Sequence, residues 1–210
     1  MIITNLNKTK DFFEDAKSDI IISEPRKTLL RNIAKKIAIY HDSDGSVNIN
    51  FICTHNSRRS QLGQVWTYFA SDYFNLNINS FSGGTEVTAF HRNTLKTLKD
   101  VGFIFTFEKF CHVNPVYNVS FNGSKRSIKG FSKLFNDSIN QSPYLVLTTC
   151  NNADENCPFI PEAIHRFHLP YKDPKYSDNL SNHEAIYLQT NKEIAAEMYF
   201  IFNEVNKQLV

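Results

Sequence analysis

The sequence lacks any long hydrophobic run, so none of its segments is predicted to span a membrane. It also lacks a basic start followed by an apolar stretch, and we therefore expect a cytoplasmic protein whose thiols stay reduced. The formal net charge is only +2 and the basic residues are scattered, which argues against nucleic-acid binding. Neither nucleic acid nor membrane is expected among its partners.

The sequence does contain 18 phenylalanines and 4 cysteines in 210 residues. This length predicts one domain with an elaboration, and the aromatic content predicts a core filled with large rings. Cysteines in a reducing compartment are more often catalytic, redox-active or metal-binding than structural. The cysteines therefore direct the search for a functional site.

Alternating strand and helix patterns predict an α/β fold. The predicted strands are 47–52, 77–82, 143–150 and 165–170, and the helices among them are 59–74, 89–103 and 182–209. Strands that alternate with helices favour a parallel sheet covered on both faces. We therefore expect an open four-stranded parallel sheet flanked by helices.

Two regions lie outside this alternation. Residues 1–46 carry helical patterns at 7–19 and 24–41 and are predicted to form an N-terminal helical extension to a domain spanning 47–210. Within that domain, residues 104–142 contain "VYNVSFNGSKRSIKGF", which predicts a β-hairpin around an Asn-Gly turn. The hairpin is either a rim or lid of the site or a surface elaboration without a role.

The stretch "CTHNSRRS" follows the first predicted strand. Cys53 ends the strand, and a helix is predicted to begin near Arg59. Ligands of parallel sheets bind where strands lead into helices, and amides at a helix start favour anions. The positive field of these amides, together with the charge of Arg59, favours a thiolate at Cys53.

The other polar residues of this stretch also suit an oxyanion. The planar fork of Arg59 can hold two oxygens of a phosphate-like anion. Ser60 can donate its hydroxyl to the sulfur, and Asn56 can brace the loop. The alternative interpretation is a packed cysteine at a strand end, with arginines on a solvated turn.

A second group of residues lies in "TTCNNADENCP". Cys150 ends a predicted strand, and if that strand neighbours the one ending in Cys53, both thiols emerge at one sheet edge. Cys157 follows after a polar segment that could bring it back to Cys150, so that the three thiols form a relay. The alternatives are a zinc site with His165 and His168, or two buried structural thiols.

These motifs resemble those of the low-molecular-weight protein tyrosine phosphatase superfamily. "CTHNSRRS" resembles its phosphate-binding loop, which is Cys, five residues, Arg, then Ser or Thr. "TTCNNADENCP" resembles the redox-cysteine segment of the thioredoxin-coupled arsenate reductases in that superfamily. The resemblance covers roughly 47–207, without the 104–142 insertion. It implies an oxyanion-binding loop made by Thr54, His55, Asn56, Ser57, Arg58 and Arg59.

The resemblance also implies catalytic roles. Cys53 would be the nucleophile, Arg59 the oxyanion clamp and Ser60 the stabiliser of the thiolate. Asp173, in "YKDPKY", would be the general acid, although Asp-Pro pairs also occur in ordinary turns.

The implied function is reduction of arsenate to arsenite through a Cys53–Cys150–Cys157 relay, with thioredoxin as the reductant and no cofactor. The alternative is hydrolysis of phosphomonoesters through a phosphocysteine, perhaps on phosphotyrosine, and a non-enzymatic alternative is an oxyanion sensor. The cysteines at 150 and 157 distinguish the reductase hypothesis from the phosphatase hypothesis, because the plain phosphatases lack them.

The sequence departs from the family pattern at three positions. His55 replaces a common glycine, and Arg58 replaces a common second cysteine, adding positive charge that should suit anions. Gln64 replaces a carboxylate that helps to bind potassium, so no ion site is expected. Cys111 has no matched role.

Overall fold

Four parallel strands form the central sheet of the computed structural model, which describes residues 7–156 and 159–209. Their order across the sheet is β2, β1, β6, β7, with bounds β1 Val47–Cys53, β2 Ile78–Gly84, β6 Tyr144–Thr148 and β7 Ala163–His168. β1 pairs with β2 on one side and with β6 on the other, so its end lies in the middle of the sheet. The predicted α/β fold with an open parallel sheet is confirmed.

Helices before, between and after the strands cover the sheet. They are α1 Lys8–Asp19, α2 Glu24–Asp44, α3 Arg59–Tyr73, α4 Arg92–Asp100, α5 Asn151–Asn156 and α6 His183–Leu209. One continuous core joins α1, α2, α3 and α6 to the inner faces of β1 and β6. The two N-terminal helices therefore share the core of the sheet domain. No helix of the described residues combines the length and apolarity needed to cross a membrane.

A second, antiparallel sheet is built from β3 Phe103–Lys109, β4 Val116–Phe121 and β5 Ile128–Gly130. β4 and β5 form the predicted hairpin across the Asn-Gly turn. β3 was not expected, because the sequence pattern continued the preceding helix to residue 103. Its exposed Ile104 and Phe107 hide the alternation of a half-buried strand, and only its pairing with β4 reveals it.

Helix α3 packs unusually close to β1. An added Cβ at Gly63 would lie 2.4 Å from Cδ1 of the Phe51 ring, so the ring occupies the space that a side chain would need. Phe51 and the apolar side of α3 are fully buried. This contact fixes the distance between the strand that ends in Cys53 and the helix that begins at Arg59.

The chain after β5 returns alongside the end of β2. Gly84 donates its N–H to Lys133 O at 2.8 Å, and Phe135 N donates to Gly84 O at 3.0 Å. Lys133 is only 3% exposed, and its Nζ has no hydrogen-bond partner among the described residues. Burial lowers the pKa of Lys133 to about 7, although the charge of Asp137 acts in the opposite direction.

We expect Gly63→Ala to destabilise the protein by roughly 1–3 kcal/mol, because the new methyl group overlaps the Phe51 ring. That cost exceeds the gain of about 1 kcal/mol that alanine normally brings to a helix. The measurement is urea unfolding of the variant and of the same change in a Phe51→Leu background, where the penalty should shrink. A Gly63→Ala variant more stable than the wild type would contradict this packing.

We expect Lys133→Met to raise the free energy of unfolding at acidic and neutral pH. Below about pH 7 both states carry the proton, and the folded state bears the full cost of the buried charge, roughly 5 kcal/mol. As pH rises from about 7 towards 10.5, the folded state binds fewer protons than the unfolded chain, so the cost declines.

The advantage of the methionine variant should therefore be largest near about pH 6 and smallest near about pH 10, as measured by urea unfolding at both values. Lys129→Met is the matched control, because the Lys129 ammonium is half-exposed and paired with Glu108. A stability difference for Lys133→Met that does not change with pH would show that this amine is not a buried titrating group.

Candidate active site

Cys53 lies at the carboxyl end of β1 and is nearly buried. Its Sγ is 3.0 Å from Ser60 Oγ, in the first turn of α3. Ser60 Oγ accepts a hydrogen bond from Asn56 Nδ2 at 2.8 Å. Because that bond uses an oxygen lone pair, the hydroxyl proton of Ser60 is left to donate to the sulfur. The sulfur of Cys53 therefore has a hydroxyl proton directed at it.

The loop reaches α3 through a left-handed turn at Asn56, whose φ is 46°. Asparagine tolerates this conformation better than most residues. The Asn56 side chain also accepts from Lys133 N at 3.0 Å, and its carbonyl accepts from Gln61 Nε2 at 3.0 Å. His55, which replaces a common glycine, does not have a positive φ.

The carbonyl groups of the Cys53 loop accept hydrogen bonds from neighbouring parts of the chain. Those of residues 53, 54 and 57 accept from the N–H groups of residues 85, 86 and 91, and His55 O accepts from Thr88 and Ser132 hydroxyls. In the described contacts, no acceptor pairs with the N–H groups of residues 55–58. This leaves a set of loop amides for an anion, the arrangement that phosphate-binding loops use.

The loop also needs a glycine beside it. A Cβ at Gly84, the last residue of β2, would lie 2.7 Å from Thr54 O and 2.8 Å from Asn56 N. The backbone of the loop therefore approaches β2 more closely than any side chain would allow.

Two nitrogens of the Arg59 guanidinium donate hydrogen bonds, and the third has no partner among the described residues. Nη1 donates to Tyr171 O at 3.1 Å, and Nη2 donates to Asp173 Oδ2 at 2.5 Å. Nε is buried and has no partner among the described residues. An oxyanion that takes this N–H would complete the hydrogen bonding of the guanidinium.

Asp173 reaches the site from the loop after β7. Its backbone is extended, at φ −73° and ψ 118°, as the following Pro174 requires. One carboxylate oxygen caps the short 3-10 turn Pro174–Ser177 by accepting from Lys175 N at 3.0 Å, and the other contacts Arg59. The side chain is about one-third exposed, so a substrate could reach it.

Cys150 lies at the same sheet edge as Cys53. Ile52 of β1 is paired with Thr148 of β6, Cys53 is the next residue after Ile52, and Cys150 lies two residues after Thr148. Cys150 is buried, and its Sγ is 3.5 Å from Thr54 Oγ1. A cavity of about 490 Å³ is lined by Thr54, His55, Arg59, Cys150, Asn151, Asn152, Tyr171 and Asp173. Cys157, the third predicted thiol, lies outside the described residues.

Arg58 does not face this cavity. Its Nη2 donates to Asp178 Oδ2 at 2.6 Å, and its Nε donates to the Tyr187 hydroxyl at 2.6 Å. The expectation that its guanidinium adds charge for the anion therefore needs correction, because Asp178 already pairs with that charge. Only the backbone N–H of Arg58 remains part of the loop. Arg58 instead ties the loop to α6 and to the segment that follows Asp173.

The charges around Arg58 shift the pKa of its partners. Burial alone would raise the pKa of Asp178, but hydrogen bonds from Tyr187 and the Arg58 charge outweigh it and hold that pKa below its usual value. Burial and the Arg58 charge lower the pKa of His91, whose ring lies beside Tyr187. His91 also caps α4 and is not directed at the cavity.

A partly buried ion pair supports Arg59 from behind, and the sequence pattern did not reveal it. Arg26 in α2 binds both oxygens of Glu197 in α6, at 2.7 and 2.9 Å, and donates to Pro170 O at 3.1 Å. The Tyr171 hydroxyl donates to the same carboxylate at 2.7 Å. Tyr171 then presents its carbonyl to Arg59. No motif signals this chain of contacts, because its members come from distant parts of the sequence.

The described residues give no support to the alternative of a zinc site. Across residues 7–156 and 159–209, no three His, Cys, Asp or Glu side chains come together as metal ligands would. His168 contacts Thr148 and Asn151, and the His165 ring packs against Phe167. Cys111 is exposed in the turn between β3 and β4.

Comparison with known proteins identifies relatives by sequence and by fold, although no protein-family model matches the chain. The chain is 28% identical over 126 residues to an arsenate reductase of Bacillus cereus (strain Q1), which covers 60% of this chain and 75% of that protein. It is 29% identical over 128 residues to an arsenate reductase of Staphylococcus aureus (strain Newman), covering 60% and 77%.

The solved structure of a low-molecular-weight protein tyrosine phosphatase from T. tengcongensis has the same fold. The match covers 75% of this chain and 98% of that one, with a TM-score of 0.51 and 14% identity. The common fold, the sequence similarity and the loop built around Cys53 agree. The chain thus has the fold of a low-molecular-weight protein tyrosine phosphatase and is similar in sequence to arsenate reductases.

Proposed function

We propose that this protein reduces arsenate to arsenite with Cys53 as the nucleophile and Cys150 and Cys157 as the redox pair. One observation carries the proposal: Arg59, Cys150 and Asp173 line a single cavity at the loop that follows Cys53. A phosphatase needs the loop, the arginine and the acid, but it has no use for a second cysteine here. The similarity to arsenate reductases supports the same conclusion.

In the proposed first step, arsenate binds to the free loop amides and to the open side of Arg59. The Cys53 thiolate attacks arsenic, so that an S–As bond forms and an As–O bond breaks. Asp173 donates a proton to the departing oxygen, which leaves as water. Ser60 stabilises the thiolate before the attack, because its hydroxyl proton points to the sulfur.

In the second step, the Cys150 thiolate attacks the sulfur of Cys53. The S–As bond breaks, and its electron pair passes to arsenic, which is reduced from As(V) to As(III) and leaves as arsenite. Cys53 and Cys150 are then joined by a disulfide. Cys157 attacks Cys150 and releases Cys53, and the dithiol of thioredoxin, the proposed reductant, reduces the Cys150–Cys157 disulfide.

The third step requires α5 to change its structure. The helix Asn151–Asn156 extends about 9 Å, whereas the two Cα atoms of a disulfide lie roughly 4.4–6.8 Å apart. We therefore propose that α5 unwinds when Cys157 attacks Cys150. The helix is short and mostly polar, and its opening exposes little apolar surface. Thiols that begin the cycle reduced also fit the proposed cytoplasmic location.

The second candidate function is phosphomonoester hydrolysis. The same loop could bind phosphate, and Cys53 would form a phosphocysteine that water hydrolyses with help from Asp173. The fold shared with a tyrosine phosphatase favours this activity. We expect it to persist as a side reaction, because its chemistry uses neither Cys150 nor Cys157.

Replacement of the redox cysteines should stop arsenate turnover. We expect Cys150→Ser and Cys157→Ser each to lower arsenate-dependent NADPH consumption, coupled through thioredoxin and its reductase, by ~100-fold or more, because no disulfide can be passed on. Cys111→Ser is the matched control and should retain activity, since Cys111 is exposed and outside the cavity. Sustained arsenate turnover by the double Cys150→Ser/Cys157→Ser variant would refute the relay.

The phosphatase side reaction should depend on Asp173, the proposed general acid, and not on Cys150 or Cys157. We expect Asp173→Asn to lower hydrolysis of p-nitrophenyl phosphate by about 10²–10⁴-fold, the usual loss when a general acid is removed. The double serine variant should hydrolyse it at the wild-type rate. Asp100→Asn, on the surface of α4 and paired with Lys96, is the matched carboxylate-to-amide control. Equal losses in Asp173→Asn and Asp100→Asn would remove Asp173 from the chemistry.

A further inference from the structure

A groove of about 560 Å³ lies beside the candidate active site, and we call it the basic groove. It is walled by the start of α4, by the turn between β3 and β4 and by Lys175, which follows Asp173 by two residues. His55 lines both the groove and the active-site cavity, so the two spaces adjoin at the Cys53 loop. Of the described residues, neither Cys150 nor any member of α5 lines the groove. A molecule bound at the loop could therefore extend into the groove without meeting the redox cysteine.

The basic groove carries positive charge that no carboxylate balances. None of the described residues that line it is acidic, and two of its cations, Arg92 and Lys175, are exposed. Neither of these two side chains forms an ion pair with another residue in the described part of the chain. Arg58 also lines the groove, but Asp178 pairs with its guanidinium at 2.6 Å. The unpaired charge thus lies at the first residue of α4 and in the segment that follows the proposed general acid.

Apolar side chains form another part of the groove lining. Phe90 and Tyr117 are buried and belong to the core, whereas Val113, in the turn between β3 and β4, is 77% exposed. In the same turn, the exposed Phe110 ring packs edge-on against His112, which also lines the groove. Exposed apolar residues that gather on one turn are typical of a surface that a partner covers. The groove therefore offers both unpaired cations and apolar surface to a ligand.

We propose that the basic groove binds an acidic peptide segment flanking a phosphorylated side chain whose phosphoryl group occupies the Cys53 loop. Arg92 and Lys175 pair with carboxylates of that segment, and Val113 packs against its apolar atoms. The insertion that carries β3 and β4 is then a rim that selects the substrate. This inference names a substrate class for the second candidate function, phosphomonoester hydrolysis, and rests on it.

The chemistry of the groove favours a peptide over a nucleic acid. A nucleic acid is held by a series of cations along its phosphates. The basic groove has only two unpaired cations, Arg92 and Lys175, and the formal net charge of the chain is +2. Its volume lies within the range of about 300–1,000 Å³ typical of ligand sites, which suits a few residues of a peptide.

The test is fluorescence anisotropy with two labelled peptides, in which phosphotyrosine is flanked on each side by two glutamates or by two glutamines. Both are added to the Cys53→Ala protein, which has no nucleophile at this position and leaves them intact. The acidic peptide should bind ~10-fold more tightly at low ionic strength, and the preference should shrink at about 0.5 M salt, because salt screens exposed charges. Equal affinities at low ionic strength would overturn the proposal.

Variants assign the preference to the groove. The double variant Arg92→Gln/Lys175→Gln should reduce the preference for the acidic peptide to less than about twofold. Lys125→Gln is the matched control and should keep the ~10-fold preference, because this exposed lysine lies between β4 and β5, outside the groove. A preference that survives in the double variant would refute the groove. So would displacement of the acidic peptide by single-stranded oligothymidine at a similar concentration, because the groove would then recognise negative charge alone.

Hydrolysis of the same peptides separates this inference from the function on which it rests. In wild-type protein, kcat/KM for the acidic peptide should exceed that for the glutamine peptide by the same ~10-fold. If neither peptide is hydrolysed but the acidic one binds more tightly, the second candidate function is refuted and the groove remains a docking site for acidic segments. Hydrolysis of both peptides with equal kcat/KM would refute the groove and leave the phosphatase activity in place.

Discussion

The candidate site depends on the hydrogen bonds that meet at Ser60. Asn56 donates to its oxygen, which leaves a single proton directed to the sulfur of Cys53. Asn56 can do this only because its backbone adopts the left-handed turn and its carbonyl oxygens are held by Gln61 and Lys133. The sulfur of Cys53 is therefore positioned by a chain of contacts that extends from the loop into the core, and each contact restricts the next.

Two adjacent arginines serve different purposes in this arrangement. Arg59 lines the cavity and keeps one N–H without a partner in the described part of the chain, whereas Arg58 is paired with Asp178 and Tyr187. The direction of each side chain follows from the helix that begins between them, which sends consecutive residues to different faces. The loop thus places one arginine at the cavity and uses the other to anchor itself to the segment that follows Asp173.

The N-terminal helices take part in the same support. Arg26 joins α2 to Glu197 of α6, and the shared carboxylate holds the Tyr171 hydroxyl. Tyr171 then places its carbonyl against Arg59. This route connects residues that are far apart in sequence to the guanidinium at the centre of the site. It gives α2 a structural role in the site, although no residue of α2 lines the cavity.

The sequence by itself determined most of the local elements and singled out the residues of the candidate site. The alternation of strands and helices predicts the parallel sheet, "CTHNSRRS" identifies Cys53 and Arg59, and "NGS" predicts the β4–β5 turn. These features are local, because strand alternation, turn residues and loop motifs depend on neighbours within a few positions. Strand β3 was missed because its apolar residues are partly exposed and only the pairing with β4 defines it.

Only the tertiary structure decided which distant groups meet. The pairing of β1 with β6 places Cys150 beside the Cys53 loop, and the loop after β7 brings Asp173 to Arg59. The return of the chain beside β2 buries the Lys133 ammonium with no hydrogen-bond partner among the described residues, and Asp178 pairs with the charge of Arg58. A sequence pattern records the character of each residue but not its neighbours across the fold, and charge pairing and burial depend on those neighbours.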